Sequence, residues 1–569
     1  MTVGSGPAAA TTAAATPRPV PPAPARLRTV LRLARAESAM LGRGPLVLAG
    51  LIAGAILIWI LMEALQPLWW RASWDIGSGQ VVLSMAVLAS AQLAAGRARR
   101  DGMTDLYASF PVSPGRRTLA HLAGLAGAVP ASVLLAGAGA AFVQSRGAIG
   151  TANIAVLASG VLLVVTAGAA GTALGTRFAH PLAGVIGALI LLITSVTTHL
   201  ASGAGIWLLP WEIHQDQLAF LPGSLPGYPP VAGHALELAS LAALAGIAAL
   251  AVTSTRTRSR ATLALAGLLA VALTSVAGVV QFQPIPAASL NRLVTQIADP
   301  PAGQTCTAIN RVRYCLYPAF GRDLRPLETP VNGVLAHLPA RPAAPLDIEQ
   351  TIFPSLDPTL THGHPQAQVS RWVTRARRAP ANGTTEPALY LTVGSWPATS
   401  GQLSAARFQL ALAAADWAVR LPFPVANGMP CVPLDQARAA IAIWLALQGV
   451  HGSPGEFSGG LAGPHGLPPF TVVSNTTVAT WNYPGLGEGA LTGQLPQYTA
   501  ADYVLANAML SRPAATVTRV LAGSWSTWLR PRATDAQLAA ALGITMLPTA
   551  TPGPGARIVG PAPESAVCP

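Results

Sequence analysis

Residues 96–117 read GRARRDGMTDLYASFPVSPGRR and set Arg97, Arg99, Arg100, Arg116 and Arg117 around one short oily segment. On either side lie Gln80 to Ala95 and Leu119 to Val143, two apolar runs that contain neither a carboxylate nor an arginine. A helix rises about 1.5 Å per residue, so about 20 apolar residues cross the roughly 30 Å hydrocarbon layer of a bilayer. A basic connection between two such runs is the pattern of a polytopic α-helical membrane protein. The same measure applied along the chain gives seven spans, near Pro45 to Leu65, Gln80 to Ala95, Leu119 to Val143, Ala152 to Leu174, Pro181 to Leu200, Leu236 to Val252 and Ala261 to Val280.

Composition agrees, since 51% of the 569 residues are hydrophobic and only 10% are charged. The formal net charge of +13 comes entirely from arginine on the basic side, because the chain contains no lysine. These arginines lie mostly beside apolar runs, which favours membrane topology over nucleic-acid binding. Without lysine there is no GxxxxGK[ST] loop, so ATP binding of that kind would belong to another chain. Residues 1–25, rich in Ala, Pro and Thr, carry no apolar periodicity and are expected to be a disordered cytoplasmic tail, not a signal peptide.

Arginine-rich connections stay cytoplasmic. One side of the expected bundle carries fifteen arginines: Arg18, Arg26, Arg28, Arg32, Arg35 and Arg43, then the five of the opening segment, then Arg177, Arg256, Arg258 and Arg260. The short connections on the other side hold two, Arg71 and Arg146. That asymmetry predicts a cytoplasmic N-terminus and, after seven spans, an extracytoplasmic C-terminal part. Trp69, Trp70, Trp74, Trp207 and Trp211 fit an outer aromatic belt.

All four cysteines, Cys306, Cys315, Cys431 and Cys568, follow the last span, where an oxidising exterior permits disulfides. Three pairings are open; Cys306 with Cys315 is preferred because it closes a short hairpin, and Cys431 with Cys568 then pins the tail. Residues 285–569 are expected to form an extracytoplasmic α+β domain, after a permease-like part at 26–255 and the seventh span within 256–284. PALYLTVGSW and FTVVSNTTVATW have the composition of strands. AARFQLALAAADWAVRL, PLDQARAAIAIWLALQG, TAADYVLANAML and TDAQLAAALG read as helices, the last two opening on Thr499 and Thr534. The stretch RPAAPLDIEQTIFPSLDPTLTHGHPQ reads as a surface loop.

Within the opening segment Met103, Leu106, Tyr107 and Phe110 recur at i, i+3, i+4 and i+7, one face of a two-turn helix that Asp101 or Thr104 can cap and Pro111 and Pro114 stop. So short a helix is marginal alone, and its stripe needs a surface: the bundle, the lipid headgroups or a cytoplasmic partner. Upstream, RLRTVLRLARAESAML sets Leu27, Val30, Leu31, Ala34 and Met40 against Arg28, Arg32 and Arg35, a basic amphipathic helix suited to the inner headgroup plane.

Taken in order, the basic helix, the arginine-flanked loop RARRDGMTDLYASFPVSPGRR, the long segment ASGAGIWLLPWEIHQDQLAFLPGSLPGYPP between the fifth and sixth spans, and the six-span core resemble the type 2 permeases of ATP-binding-cassette (ABC) transporters, particularly actinobacterial forms with a large outer domain. The resemblance covers about Arg26 to Thr255. It implies a coupling helix carrying Met103, Leu106, Tyr107 and Phe110, a separate cytoplasmic ABC ATPase, a second permease subunit, and short re-entrant helices in the long outer segment. The seventh span and the outer domain depart from the six-span pattern.

The expected spans hold no Asp or Arg in their interiors, while Glu63, Glu237, His121 and His199 lie near their ends. Ion-coupled carriers retain ionisable groups at mid-depth, so the pattern favours energy supplied by a separate ATPase. Small residues such as Gly171 and Gly175 suit close helix packing. No HExxH or GxSxG motif occurs, and His362 with His364 in THGHPQ lacks an evident third ligand, so neither a catalytic site, a cofactor nor a metal is expected. The sequons at Asn382 and Asn475 carry little information. The leading expectation is a transporter's membrane subunit, an exporter; a membrane-anchored binding or sensory domain stands second and an anchored hydrolase third.

Overall fold

Backbone N–H and C=O groups in hydrocarbon have no water to bond, so each apolar run satisfies its own by becoming helical. The computed structural model describes residues 23–63, 67–109, 112–198, 231–254, 257–281, 303–342, 345–351, 388–392, 396, 400–421, 425–426, 429–430, 436–450, 472–473, 478–479 and 498–545. Its N-terminal half contains α1 (Ala23–Gly42), α2 (Pro45–Glu63), α3 (Trp69–Arg100), α4 (Thr104–Ser109), α5 (Pro114–Gly124), α6 (Val129–Ser145), α7 (Ile154–Arg177), α8 (Leu182–Thr198), α9 (Val231–Thr253) and α10 (Thr257–Gln281). Among the described residues six helical stretches are long and apolar enough to cross a membrane: Pro45–Glu63, Trp69–Arg100, Pro114–Ser145, Ile154–Arg177, Val231–Thr253 and Ser259–Gln281. The expected fifth span is represented by α8, whose 17 residues reach about 26 Å; His199 and Leu200 lie outside the described residues.

Three boundaries differ from expectation. Helix α1 already includes Ala23 to Ala25, which were assigned to the tail. Helix α3 begins at Trp69 rather than near Gln80, so Arg71 and Asp75 belong to it and Asp75 is buried. Trp69, expected in an outer belt, packs instead with Met62, Ile76 and Val143 in the bundle core. The third run is bent: α5 ends at Gly124, a 3-10 turn covers Leu125–Gly127, and α6 opens with Pro130 in its first turn, where its missing N–H is not needed.

Helix α3 is the centre of the bundle. Its contact with α7 is so close that a Cβ added to Gly171 would stand 2.1 Å from the Leu88 carbonyl oxygen, and one added to Gly175 would stand 2.4 Å from that of Gln92. Two buried polar side chains pair across the bundle. Gln80 Nε2 donates to the Ser132 carbonyl at 2.9 Å, and Ser132 Oγ donates back to Gln80 Oε1 at 2.8 Å, joining α3 to α6.

Helix α1 packs on the α5–α6 bend. Val30 and Ala34 are buried with Ala120, Glu37 faces His121 at 3.3 Å, and a Cβ on Gly127 would lie 2.1 Å from the Ser38 carbonyl oxygen. The apolar stripe of α1 is thereby divided: Leu27 and Leu31 remain exposed while Val30 and Ala34 face protein.

The bundle has two distinct ends. At one, Arg97 reaches Met40 and Arg99 donates to the carbonyls of Gly175 and Arg177. At the other, Arg146 Nη1 donates to the Met62 carbonyl at 2.6 Å and Trp69 N–H to that of Ile149 at 3.0 Å. The C-terminal domain touches this second end, where the Arg322 guanidinium donates to the Gly147 carbonyl.

That domain is built on β1 (Thr305–Ile309), β2 (Val312–Leu316), α11 (Leu324–Ala336), β3 (Leu346–Thr351), β4 (Ala388–Thr392), α12 (Ser400–Ala418), α13 (Ala437–Gly449) and α14 (Ala500–Leu510). The four strands lie in the order β1-β2-β3-β4, the first pair antiparallel and the others parallel. Cys306 and Cys315 face one another in register and form the expected disulfide; Cys431 and Cys568 lie outside the described residues. The expected surface loop is corrected in part, because its residues Leu346–Thr351 are a central strand. Leu346 and Ile348 are buried in the core, and Asp347 accepts two hydrogen bonds from Arg313, one at 2.9 Å. His362 and His364 lie outside the described residues, as do both sequons.

One sheet face packs Leu346, Ile348 and Leu389 against Leu410, Ala414 and Trp417 of α12. The opposite side of α12 joins α13, α14 and the helix Asp535–Ala541 in a second core. Every residue of α13 from Ala437 to Leu447 is buried, as its almost wholly apolar sequence requires, and the one charged residue among them, Arg438, donates to Gln436 Oε1 and to the Arg420 carbonyl. Thr534 caps Asp535–Ala541 with a reciprocal capping box to Gln537.

The packing predicts that Gly171→Ala lowers the stability of the detergent-solubilised chain by about 1–3 kcal/mol through steric crowding. Gly137→Ala, with nothing within 4 Å of the added atom, leaves the thermal midpoint unchanged or higher. Removing the Cys306–Cys315 bridge by Cys→Ser at both positions lowers the stability of the C-terminal domain by ~2–3 kcal/mol, measured by denaturant unfolding followed with limited proteolysis.

Candidate partner-docking site

The connection between α3 and α5 is anchored at both ends. Helix α3 terminates with Asp101 N–H on the Arg97 carbonyl at 2.9 Å and Met103 N–H on that of Ala98 at 3.0 Å. Gly102 supplies the positive φ of 66° that turns the chain out of the helix. On the far side Ser113 precedes α5, Pro114 fills its first turn, and Arg116 N–H bonds the Ser113 carbonyl at 3.0 Å.

Between these anchors stands α4, six residues long. Of the two-turn helix expected over Met103 to Phe110, Thr104–Ser109 is helical and Met103 precedes it, and Asp101 belongs to the end of α3 rather than to its cap. Met103 is half-buried and Leu106 is 55% exposed. The side chain of Tyr107 and the whole of Phe110 lie outside the described residues. Ser109 Oγ returns to the Leu106 carbonyl at 2.6 Å, closing the last turn. A short helix that follows the end of α3 and presents an exposed leucine can serve as a docking knob.

The surrounding arginines are mostly occupied. Arg99 holds the C-terminal carbonyls of α7, Arg100 pairs with Asp101 at 3.1 Å and also reaches the Leu93 carbonyl, and Arg97 touches Met40. Cations gathered at helix C-termini complement the carbonyl dipoles there. Beneath them, buried Gln92 donates to the His180 carbonyl at 3.0 Å and ties the start of α8 to α3. The sequence signal for Gln92 is slight: it is one of two amides, with Gln80, in the apolar run GQVVLSMAVLASAQLAAG.

A second polar cluster lies at the opposite end of the bundle. His234 and Glu237 on α9 meet Gln281 on α10, with Gln281 Nε2 donating to Glu237 Oε2 at 2.7 Å and His234 Nδ1 standing 3.3 Å from Gln281 Oε1. Deeper along the same pair of helices, Ser240 and Thr274 share a hydrogen bond of 2.7 Å. These contacts fasten α10, the expected seventh span, to its neighbour. The sequence marked Glu237 as lying near a span end but contained no sign that Gln281 would meet it.

Neither a known family model, nor a curated protein, nor a solved structure matches this chain.

Proposed function

We propose that this chain is the membrane subunit of an ABC exporter, pairing with a second permease subunit and docking a separate cytoplasmic ATPase through residues 101–110. The observation that carries this reading is the exposed Leu106 on a short helix that follows the membrane helix α3 at the arginine-bearing end. A stripe needed only for packing against the bundle would bury that leucine. Movement imposed on α4 would pass directly into α3, the central helix, and into α5, which α1 braces.

In this reading the arginine-bearing end is cytoplasmic and the C-terminal domain extracytoplasmic. The disulfide supports it, because such bonds persist in oxidising compartments. The contact of Arg322 with Gly147 supports it too, since it joins the domain to the end away from Arg97 to Arg100. A second reading, a binding domain displayed by a membrane scaffold that no longer transports, is favoured by the domain's two buried cores.

Co-purification with the candidate ATPase separates the readings. Leu106→Asp together with Tyr107→Asp is expected to weaken association by about 2 kcal/mol or more, roughly 30-fold, with little change in thermal midpoint because Leu106 is exposed. Equal recovery of ATPase by wild type and variant refutes the docking role. For orientation, a cysteine introduced at Thr151 should react with a membrane-impermeant maleimide on intact cells above the wild-type background, and one at Ser254 should react only after permeabilisation; the reverse pattern inverts the proposed topology.

A further inference from the structure

The C-terminal domain contains a cavity of about 340 Å³ between the β1–β2 turn, the end of α11 and α12. Its polar lining is Arg311, Arg341, Asn310 and Asn332, with Leu335 and Trp417 among its apolar residues, and among the described residues no carboxylate lines it. Pockets that hold small molecules start at about 300 Å³ and combine an apolar wall with a few convergent polar groups. Two guanidinium groups at one cavity favour an oxyanion, which arginine binds through paired N–H donors.

The backbone at this rim is held in a demanding conformation. Asn310 and Arg311 form the two-residue turn between β1 and β2 with φ of 50° and 69°. Asparagine tolerates the left-handed region and glycine is the favoured second residue, whereas arginine is disfavoured there. Such outliers persist where the surroundings over-determine them and often mark binding sites. Here the determinants are visible: the Cys306–Cys315 disulfide crosses the same hairpin, and Arg311 Nη1 donates to the Pro342 carbonyl at 3.0 Å. The amides are ordered in a chain, Asn310 Nδ2 donating to Asn332 Oδ1 at 3.2 Å and Asn332 Nδ2 to Glu328 Oε1 at 2.9 Å. That chain leaves Asn310 Oδ1 as an acceptor at the rim.

We propose that this cavity binds a small acidic molecule whose carboxylate or phosphate engages Arg311 and Arg341 while a sugar-sized body, carrying hydroxyl groups for the asparagines, fills the space beside Leu335 and Trp417. The site is independent of whether α4 docks an ATPase. It gives the domain a ligand class and makes the disulfide part of the preorganisation of the binding turn.

The test is isothermal titration of the purified full-length chain in detergent with glucuronate, glucose 6-phosphate, glucose and inorganic phosphate. At least one of the two acidic sugars is expected to bind at least about tenfold more tightly than glucose and than inorganic phosphate; which one does so distinguishes a carboxylate from a phosphate ligand. Arg311→Asn, which suits the left-handed turn, and Arg341→Gln are each expected to weaken that binding by about tenfold or more with the thermal midpoint retained. Absence of binding by both acidic sugars, equal binding of glucose, equal binding of inorganic phosphate, or undiminished binding by both variants overturns the proposal. ATPase co-purification is read separately and does not bear on these outcomes.

Discussion

A backbone inside hydrocarbon must bond to itself, and that constraint governs the N-terminal half of this protein. Once every apolar run is a helix, association depends on how closely the helices approach and on whether their few polar side chains find partners. Helix α3 meets both requirements. It comes within backbone contact of α7 at Gly171 and Gly175, and its Gln80 and Gln92 bond to Ser132 and to the Phe178–His180 turn. The other helices are arranged around this one, and the end of α3 determines where α4 begins.

The bend between α5 and α6 has a consequence at the surface. By interrupting the run at Leu125–Gly127, the chain creates a recess of small residues into which α1 fits, with Ser38 against Gly127 and Glu37 against His121. Helix α1 is therefore braced by protein on one side, while Leu27 and Leu31 stay open for the membrane boundary.

The C-terminal domain follows different rules because its apolar surface is hidden from water rather than exchanged with lipid. Helix α12 lies between two cores and gives each one face, and α13, almost wholly apolar, is buried along nearly its whole length. At 13 residues α13 is too short to span a membrane and long enough to fill the centre of a domain. Among the described residues a polar connection reaches the bundle from this part of the chain, the Arg322 guanidinium on the Gly147 carbonyl. The domain is consequently joined to the membrane helices by more than its covalent tether.

The helices of the bundle were legible in the sequence because their signal is local: uncharged length, bounded by arginine, proline and glycine. So were the helical runs at Ser400–Ala418 and Ala437–Gly449, the cap at Thr534 and the Cys306–Cys315 hairpin, each set by neighbours within a few residues. The spacing around Leu106 reads as a helix and Thr104–Ser109 is one, while the Tyr107 side chain and Phe110 of the expected face lie outside the described residues. What the sequence could not determine depends on partners far away in the chain. Leu346–Thr351 looked like a polar loop because the strands and the Arg313 that stabilise it lie elsewhere. Trp69 and Asp75 looked like an outer rim because α2, α6 and the loop at Ile149, which bury them, are not adjacent in sequence. Only the tertiary structure brings His234, Glu237 and Gln281 into one cluster, or Arg311, Asn332 and Trp417 around one cavity. Hydrophobic length is a property of a segment, whereas burial and polar pairing are properties of surfaces that meet only after the segments have packed.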